Sequence, residues 1–170
     1  MNHDDVLMTR ALEVAAEGMR EGEMPIGAVV AVDGEVIASA HTQERAQGRL
    51  LVHADLLALD AADRVLRGRR DRATMYVTLE PCVMCLGAAI TTRLATVVYA
   101  LESPSDGGYQ LLSEWDRTRR AESMPGYALP SVRSGILRLE SARLFREYSD
   151  NQAPGWAKDW TAELADLGGA

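Results

Sequence analysis

The sequence predicts an α/β fold, a three-layer α/β/α sandwich around a mixed central sheet. Three observations lead there. A helical repeat opens the chain, two apolar runs joined by Asp33-Gly34 follow it, and from residue 52 onward helices and strands alternate. A hairpin followed by such alternation implies one sheet with helices on both faces.

Taken in order, residues 5–21 ("DVLMTRALEVAAEGMRE") place apolar side chains at Val6, Leu7, Ala11, Leu12, Val14 and Ala15, a helical recurrence. "IGAVVAV" (26–32) and "EVIASA" (35–40) flank Asp-Gly, a strong short hairpin signal. The loop "HTQERAQGRL" leads to a helix over 52–67 that Gly68 stops. "TMYVTL" (74–79) is a strand of β-branched and aromatic residues, "CVMCLGAAITTR" (82–93) a short helix, and "LATVVYAL" (94–101) another strand. A turn-rich loop covers 102–110. "GILRLE" (135–140) reads as a final strand and "SARLFREYS" (141–149) as a helix. The tail carries Trp156, Trp160 and a short helical stretch.

At 170 residues the chain reads as a single domain, with 150–170 as a C-terminal tail or helix able to cover an active site. Arg93 interrupts the longest apolar run, so no membrane span is expected. The acidic N-terminus has no apolar secretion segment, and a cytoplasmic location is expected. A net charge of −7 opposes a large phosphate-binding surface, so nucleic acid is not an expected partner. The basic cluster from Arg64 to Arg72 reads as a solvated helix end, where cations suit the dipole. With two cysteines, a disulfide framework is excluded.

Those cysteines, Cys82 and Cys85, are three apart on a first helical turn, where the helix N-terminus favours thiolates. His53, at another helix N-terminus, supplies a third ligand. Three protein ligands leave a fourth position for water, the pattern of a catalytic zinc rather than a structural one. Zinc lowers the pKa of such a water to about 7, giving hydroxide as a nucleophile at neutral pH. Asp55, two residues past the histidine, is the carboxylate placed to carry protons. His-x-Glu followed by Pro-Cys-x-x-Cys is the zinc-deaminase pattern, in which the acid is not a ligand.

With "MPIGAVV" (24–30), "HAD" (53–55) and "TLEPCVMC" (78–85) in this order, residues 5–150 resemble the cytidine deaminase superfamily. Within it they are similar to the group of cytosine, guanine and tRNA adenosine deaminases. The resemblance implies the α/β/α fold, one Zn2+ per chain, a homodimer, and hydrolytic loss of ammonia from an aminated base. Carried over by residue, it implies His53, Cys82 and Cys85 as zinc ligands and Asp55 as proton shuttle. It also implies base contacts from the Ala54 N–H and the Glu80–Pro81 backbone, with Ile26 against the ring face.

The chain departs from that family in several places. Asp55 stands where the family has glutamate, a reach shorter by about 1.5 Å, and misplacement by about 1 Å can cost on the order of 10²-fold in rate. Thr42 stands where the family has a substrate-binding asparagine, offering a hydroxyl of shorter reach. His41 resembles a histidine of the cytosine deaminases, or is simply packed at a strand end. The loop "GRLLV" (48–52) is less polar than in tRNA deaminases, and Ser103 replaces their aspartate. The tail resembles the cytosine deaminase C-terminus, where an aromatic segment closes over a small pocket. Trp156 is thus a candidate substrate contact, or packs its helix on the core; Tyr109, in the glycine-rich loop, is a further candidate.

The reading is therefore zinc-dependent deamination of a free nucleobase or close analogue: an aminated pyrimidine, triazine or purine. The alternatives are tRNA adenosine deamination and a zinc- and base-holding protein impaired by Asp55. A thiol redox protein using Cys82 and Cys85 would leave His53 unexplained.

Overall fold

The computed structural model describes residues 2–114 and 128–169. Asp33 and Gly34 both take left-handed backbone, with φ of 52° and 86°. That is the twist a two-residue hairpin needs. It joins β1 (Gly27–Val32) to β2 (Glu35–His41) with Val32 opposite Glu35. On its other edge β1 pairs antiparallel with β3 (Ala73–Leu79). β4 (Thr96–Leu101) and β5 (Ser131–Arg133) add in parallel, giving the order β2-β1-β3-β4-β5. The sheet is mixed, as the sequence predicts.

The helices are α1 (His3–Arg20), α2 (Glu44–Gln47), α3 (Ala54–Leu66), α4 (Val83–Thr91), α5 (Tyr109–Ser113), α6 (Arg138–Asp150) and α7 (Trp156–Leu167). Side chains alternate across a strand, so Ala28, Val30 and Val32 of β1 face one way with Met75 and Val77 of β3. They bury against Ala58, Leu59 and Ala62 of α3 and Leu86 and Ala89 of α4. Val29, Ala31, Tyr76 and Val98 face the other way, onto Leu7, Met8 and Ala11 of α1. α1 comes close there because Gly27 has no side chain: a Cβ would stand 2.4 Å from the Ala11 carbonyl oxygen. A third cluster ties the strand ends Leu79 and Leu101 to Phe145 of α6 and Leu164 of α7.

One expected element is corrected. Residues 135–140 are not a strand, because Gly135 and Leu137 are left-handed, at φ 80° and 54°. A strand cannot run through two such turns, so the chain reverses into α6 at Arg138, three residues before the expected helix. The last strand is β5 at 131–133 instead. Among the described residues no helix is long and apolar enough to cross a membrane.

α6 is pinned to the end of β4 by Arg138, whose Nε donates to Glu102 Oε2 at 2.9 Å while Nη2 donates to Oε1. The arginine's hydrogen bond holds the Glu102 carboxyl below its ordinary range, against the effect of partial burial. A depressed pKa contributes stability above the unfolded value, about 4.3, and loses it as pH falls through the folded one. Arg138→Gln is expected to lower Tm at pH 7 and to show a smaller deficit at pH 3. Thermal melts at the two pH values check this, and an equal deficit would remove the pair from the account.

Candidate active site

Two helices begin at the site without side-chain caps. The N-cap of α3 is His53 and that of α4 is Cys82, both in extended backbone, and neither side chain accepts a hydrogen bond from its own helix. Forgoing an N-cap bond costs about 1 kcal/mol. These side chains face one another instead. His53 Nδ1 lies 3.8 Å from Cys82 Sγ and 3.5 Å from Cys85 Sγ. All three donor atoms fall within 4.8 Å of one another.

The electrostatics follow from that closeness and from the positive ends of both helices. The Cys82 thiol is pushed down to about 4, first by the hydrogen bond from Cys85 and then by His53, against burial. Cys85 is pushed up by the neighbouring Cys82 sulfur and by burial. His53 is raised by its hydrogen bond with Cys82, against burial. An imidazole and two sulfurs, one poised as thiolate, form a donor set whose softness suits zinc. His53, Cys82 and Cys85 thus fit the ion the sequence predicts.

Asp55, on the first turn of α3, is only 3% exposed, and its Oδ1 has no hydrogen-bond partner among the described residues. Burial pushes its carboxyl up to about 6, against the hydrogen bond with Cys85. An unmet buried acceptor is destabilising, by roughly 1–3 kcal/mol. It is also a group ready for a donor from water or substrate.

A cavity of about 630 Å³ opens over these residues. Of the expected contacts, Ile26, Thr42, Ala54, Glu80 and Trp156 line it, with His53, Asp55 and Cys82. Pro81 and Tyr109 fall outside that lining. The Pro81 carbonyl accepts from the Gly108 N–H at 2.9 Å, and the Tyr109 N–H donates to Glu80 Oε1 at 3.2 Å. Glu80 Oε2 accepts from the Ser103 N–H at 3.1 Å, so the Glu80 carboxylate holds the 103–109 loop. Gly107 passes so close to that carboxylate that a Cβ would lie 2.5 Å from either oxygen. The Thr42 hydroxyl is buried, 3.4 Å from the Val52 carbonyl and 3.5 Å from Glu44 Oε2. His41 packs on Gly18 of α1, the simpler of its two expected roles.

Other residues at the site were not expected. Glu44 Oε1 stands 3.6 Å from His53 Nε2. The short helix carrying it is held by buried Glu23, which accepts from the Arg45 and Ala46 N–H groups at 3.1 and 2.7 Å. On α7, Asp159 and Glu163 line the cavity together with Trp156 and Trp160, the two tryptophans whose spacing of four already placed them on one helix face, as a lid or as packing on the core. Asp159 and Glu163 stand three and seven from Trp156, on that same face, a signal the sequence carries. The Trp160 Nε1–H donates to Ser105 Oγ at 2.9 Å, and its ring meets Phe145 edge-on at 6.4 Å between centroids.

Residues 1–101 match the family described as the cytidine and deoxycytidylate deaminase zinc-binding region. The chain belongs to that family. The tRNA-specific adenosine deaminase of Bacillus subtilis is 41% identical over 108 residues, 63% of this chain and 67% of its own length. That of Streptococcus pyogenes serotype M1 is 30% identical over 146 residues, 83% of this chain and 80% of its own length. A solved structure from work on wobble-position tRNA deaminases is 33% identical, with a TM-score of 0.68, over 81% of this chain and 97% of that one. A guanine deaminase structure from Nitrosomonas europaea is 25% identical, with a TM-score of 0.63, over 85% and 83%. The superfamily, the fold, the zinc cofactor and hydrolytic deamination therefore stand as expected. The expectation that nucleic acid is not a partner gains no support from relatives named for tRNA.

In this zinc deaminase, Cys82→Ser tests ligand and cap together. The metal-free variant is expected to be about 1 kcal/mol more stable than the metal-free parent, because serine caps α4, yet to retain no zinc equivalent. Metal analysis with melts in chelator checks both, and a full zinc equivalent would contradict the ligand assignment. Separately, Glu80→Ala should speed hydrogen exchange at the Ser103 and Tyr109 amides while zinc content stays at one per chain.

Proposed function

We propose that the protein deaminates a small, unattached aminated heterocycle, a free nucleobase or close analogue, rather than a base within tRNA. The observation that carries this reading is α7, whose Trp156, Asp159, Trp160 and Glu163 wall the cavity above Asp55. A cavity of about 630 Å³ has room for one small ligand. A wall bearing two carboxylates would repel the phosphates on either side of a flipped nucleotide.

Bound zinc supplies a Lewis acid that activates water for attack on the aminated carbon. The protein's own groups do the rest. Asp55 takes one proton from the attacking water and delivers it to a ring nitrogen. It then takes the second from the hydroxyl left on the carbon and delivers it to the amine, so that the C–N bond breaks, ammonia leaves and an oxo group remains. Ile26 packs the ring face, and the Ala54 N–H at the start of α3 orients the ring edge. The Thr42 hydroxyl, engaged with Val52 and Glu44, braces the turn between β2 and α2 in place of the family asparagine's amide. The second reading, tRNA adenosine deamination, is favoured by the 41% identity to the Bacillus subtilis enzyme.

Ammonia release by the zinc-loaded protein decides between them, across cytosine, 5-azacytosine, guanine, isoguanine and adenine, their nucleosides, and an adenosine-bearing tRNA. Turnover of at least one free base in preference to its nucleoside is expected. Asp55→Ala should keep zinc and lose roughly 10²–10⁴-fold in kcat. Inosine formation in tRNA with every free base inert would overturn the proposal.

A further inference from the structure

The cavity is bordered by six carboxylates: Glu44, Asp55, Glu80, Asp106, Asp159 and Glu163. Among the described residues lining it, none is lysine or arginine. Four of the six have tasks already. Glu80 holds the amides of Ser103 and Tyr109. Asp106 accepts from the hydroxyls of Ser103 and Ser105, Glu44 stands beside His53, and Asp55 is the buried proton carrier.

Asp159 and Glu163 differ. Among the described residues neither carboxylate takes part in a side-chain hydrogen bond or ion pair, and both are exposed at the rim. They lie four apart on one face of α7, where like charges repel and weaken a helix. Lys158, their nearest cation in sequence, turns its Nζ to the Gln152 carbonyl at 3.5 Å and does not line the cavity. Trp156, on the same face, leaves 74% of its surface exposed, a ring open to a cation. At the floor of the same cavity, Asp55 Oδ1 is buried and has no hydrogen-bond partner among the described residues, an acceptor open to a donor on the bound ring.

Resting on the reading of this cavity as a small-molecule deaminase site, we propose that the substrate is a cation. Its aminated ring lies on the floor against Asp55. A compact ammonium or guanidinium arm lies at the rim between Asp159 and Glu163, beside the Trp156 ring. The charge pattern that excludes phosphates selects such a substrate over a neutral base, and a bound cation relieves the repulsion built into α7.

The probes are 1-(4-aminobutyl)cytosine and 9-(4-aminobutyl)guanine, each with its neutral pentyl and anionic 4-carboxybutyl counterparts. Binding to the zinc-loaded protein is followed by calorimetry, with ammonia release alongside. For at least one ring, the ammonium form should bind ten-fold or more tightly than the pentyl form, and the carboxylate form least well. That preference should shrink on raising NaCl from 50 to 500 mM, as screening requires. It should fall below three-fold in Asp159→Asn/Glu163→Gln, whose zinc content is unchanged and whose Tm is no lower than the parent's. Equal binding of the charged and neutral forms overturns the inference, as does a preference that survives the double substitution, or no binding by either ammonium probe. Free-base turnover together with equal binding of the ammonium and pentyl probes would defeat this inference and leave the nucleobase reading standing. Deamination confined to tRNA would defeat both.

Discussion

The site depends on bringing two helix N-termini together. His53 and Cys82 occupy N-cap positions, where serine, threonine or aspartate would ordinarily satisfy a helix amide. Both give up that role and face each other across 3.8 Å. This geometry requires α3 and α4 on the same face of the sheet with their starts at one end. The parallel β3–α4–β4 unit supplies α4 there. Ala54, Ala58 and Ala62 bring α3 down close on the strands, since each is fully buried and none props the helix away.

The same packing sets the chemistry. Burial that excludes water from the start of α3 also raises the Asp55 carboxyl towards neutrality and leaves Oδ1 unmet. The missing methylene relative to the family's glutamate is thus accompanied by burial that makes this carboxylate a stronger base than an exposed aspartate. Around that floor the structure is braced by acids acting as hydrogen-bond acceptors: Glu23 beneath α2, and Glu80 within the 103–109 loop. An acidic residue facing the cavity is therefore not by that fact a substrate contact. What distinguishes Asp159 and Glu163 is that nothing among the described residues answers their charge.

The relatives pull in two directions. The 41% identity to a tRNA adenosine deaminase spans 63% of this chain. Yet one wall of the cavity is built by α7, the last of the described elements. A shared zinc centre accounts for shared chemistry, and the elements around its mouth determine what reaches it.

What the sequence determined by itself is whatever its local rules encode. Asp33-Gly34 announces a hairpin because only a few residue types accept left-handed backbone, and Cys82 and Cys85 announce a shared face because three residues make nearly one helical turn. His53 joins them through the motifs' order. The tertiary structure alone decided the rest. "GILRLE" has the apolar spacing of a strand, but left-handed backbone at Gly135 and Leu137 turns it into the entry of a helix, with Ile136 and Leu137 packed against the core beneath α1. α2 has four residues and no periodicity, and it is held by a glutamate some twenty positions earlier. Pro81 is expected at the site from its place in a motif and Tyr109 from its glycine-rich loop; neither lines the cavity, and their backbone groups bond to Gly108 and to the Glu80 carboxylate. The acidic rim likewise exists only once α7 borders the same cavity as His53, Asp55 and Cys82, because charges far apart in the chain make a field only after folding has brought them together.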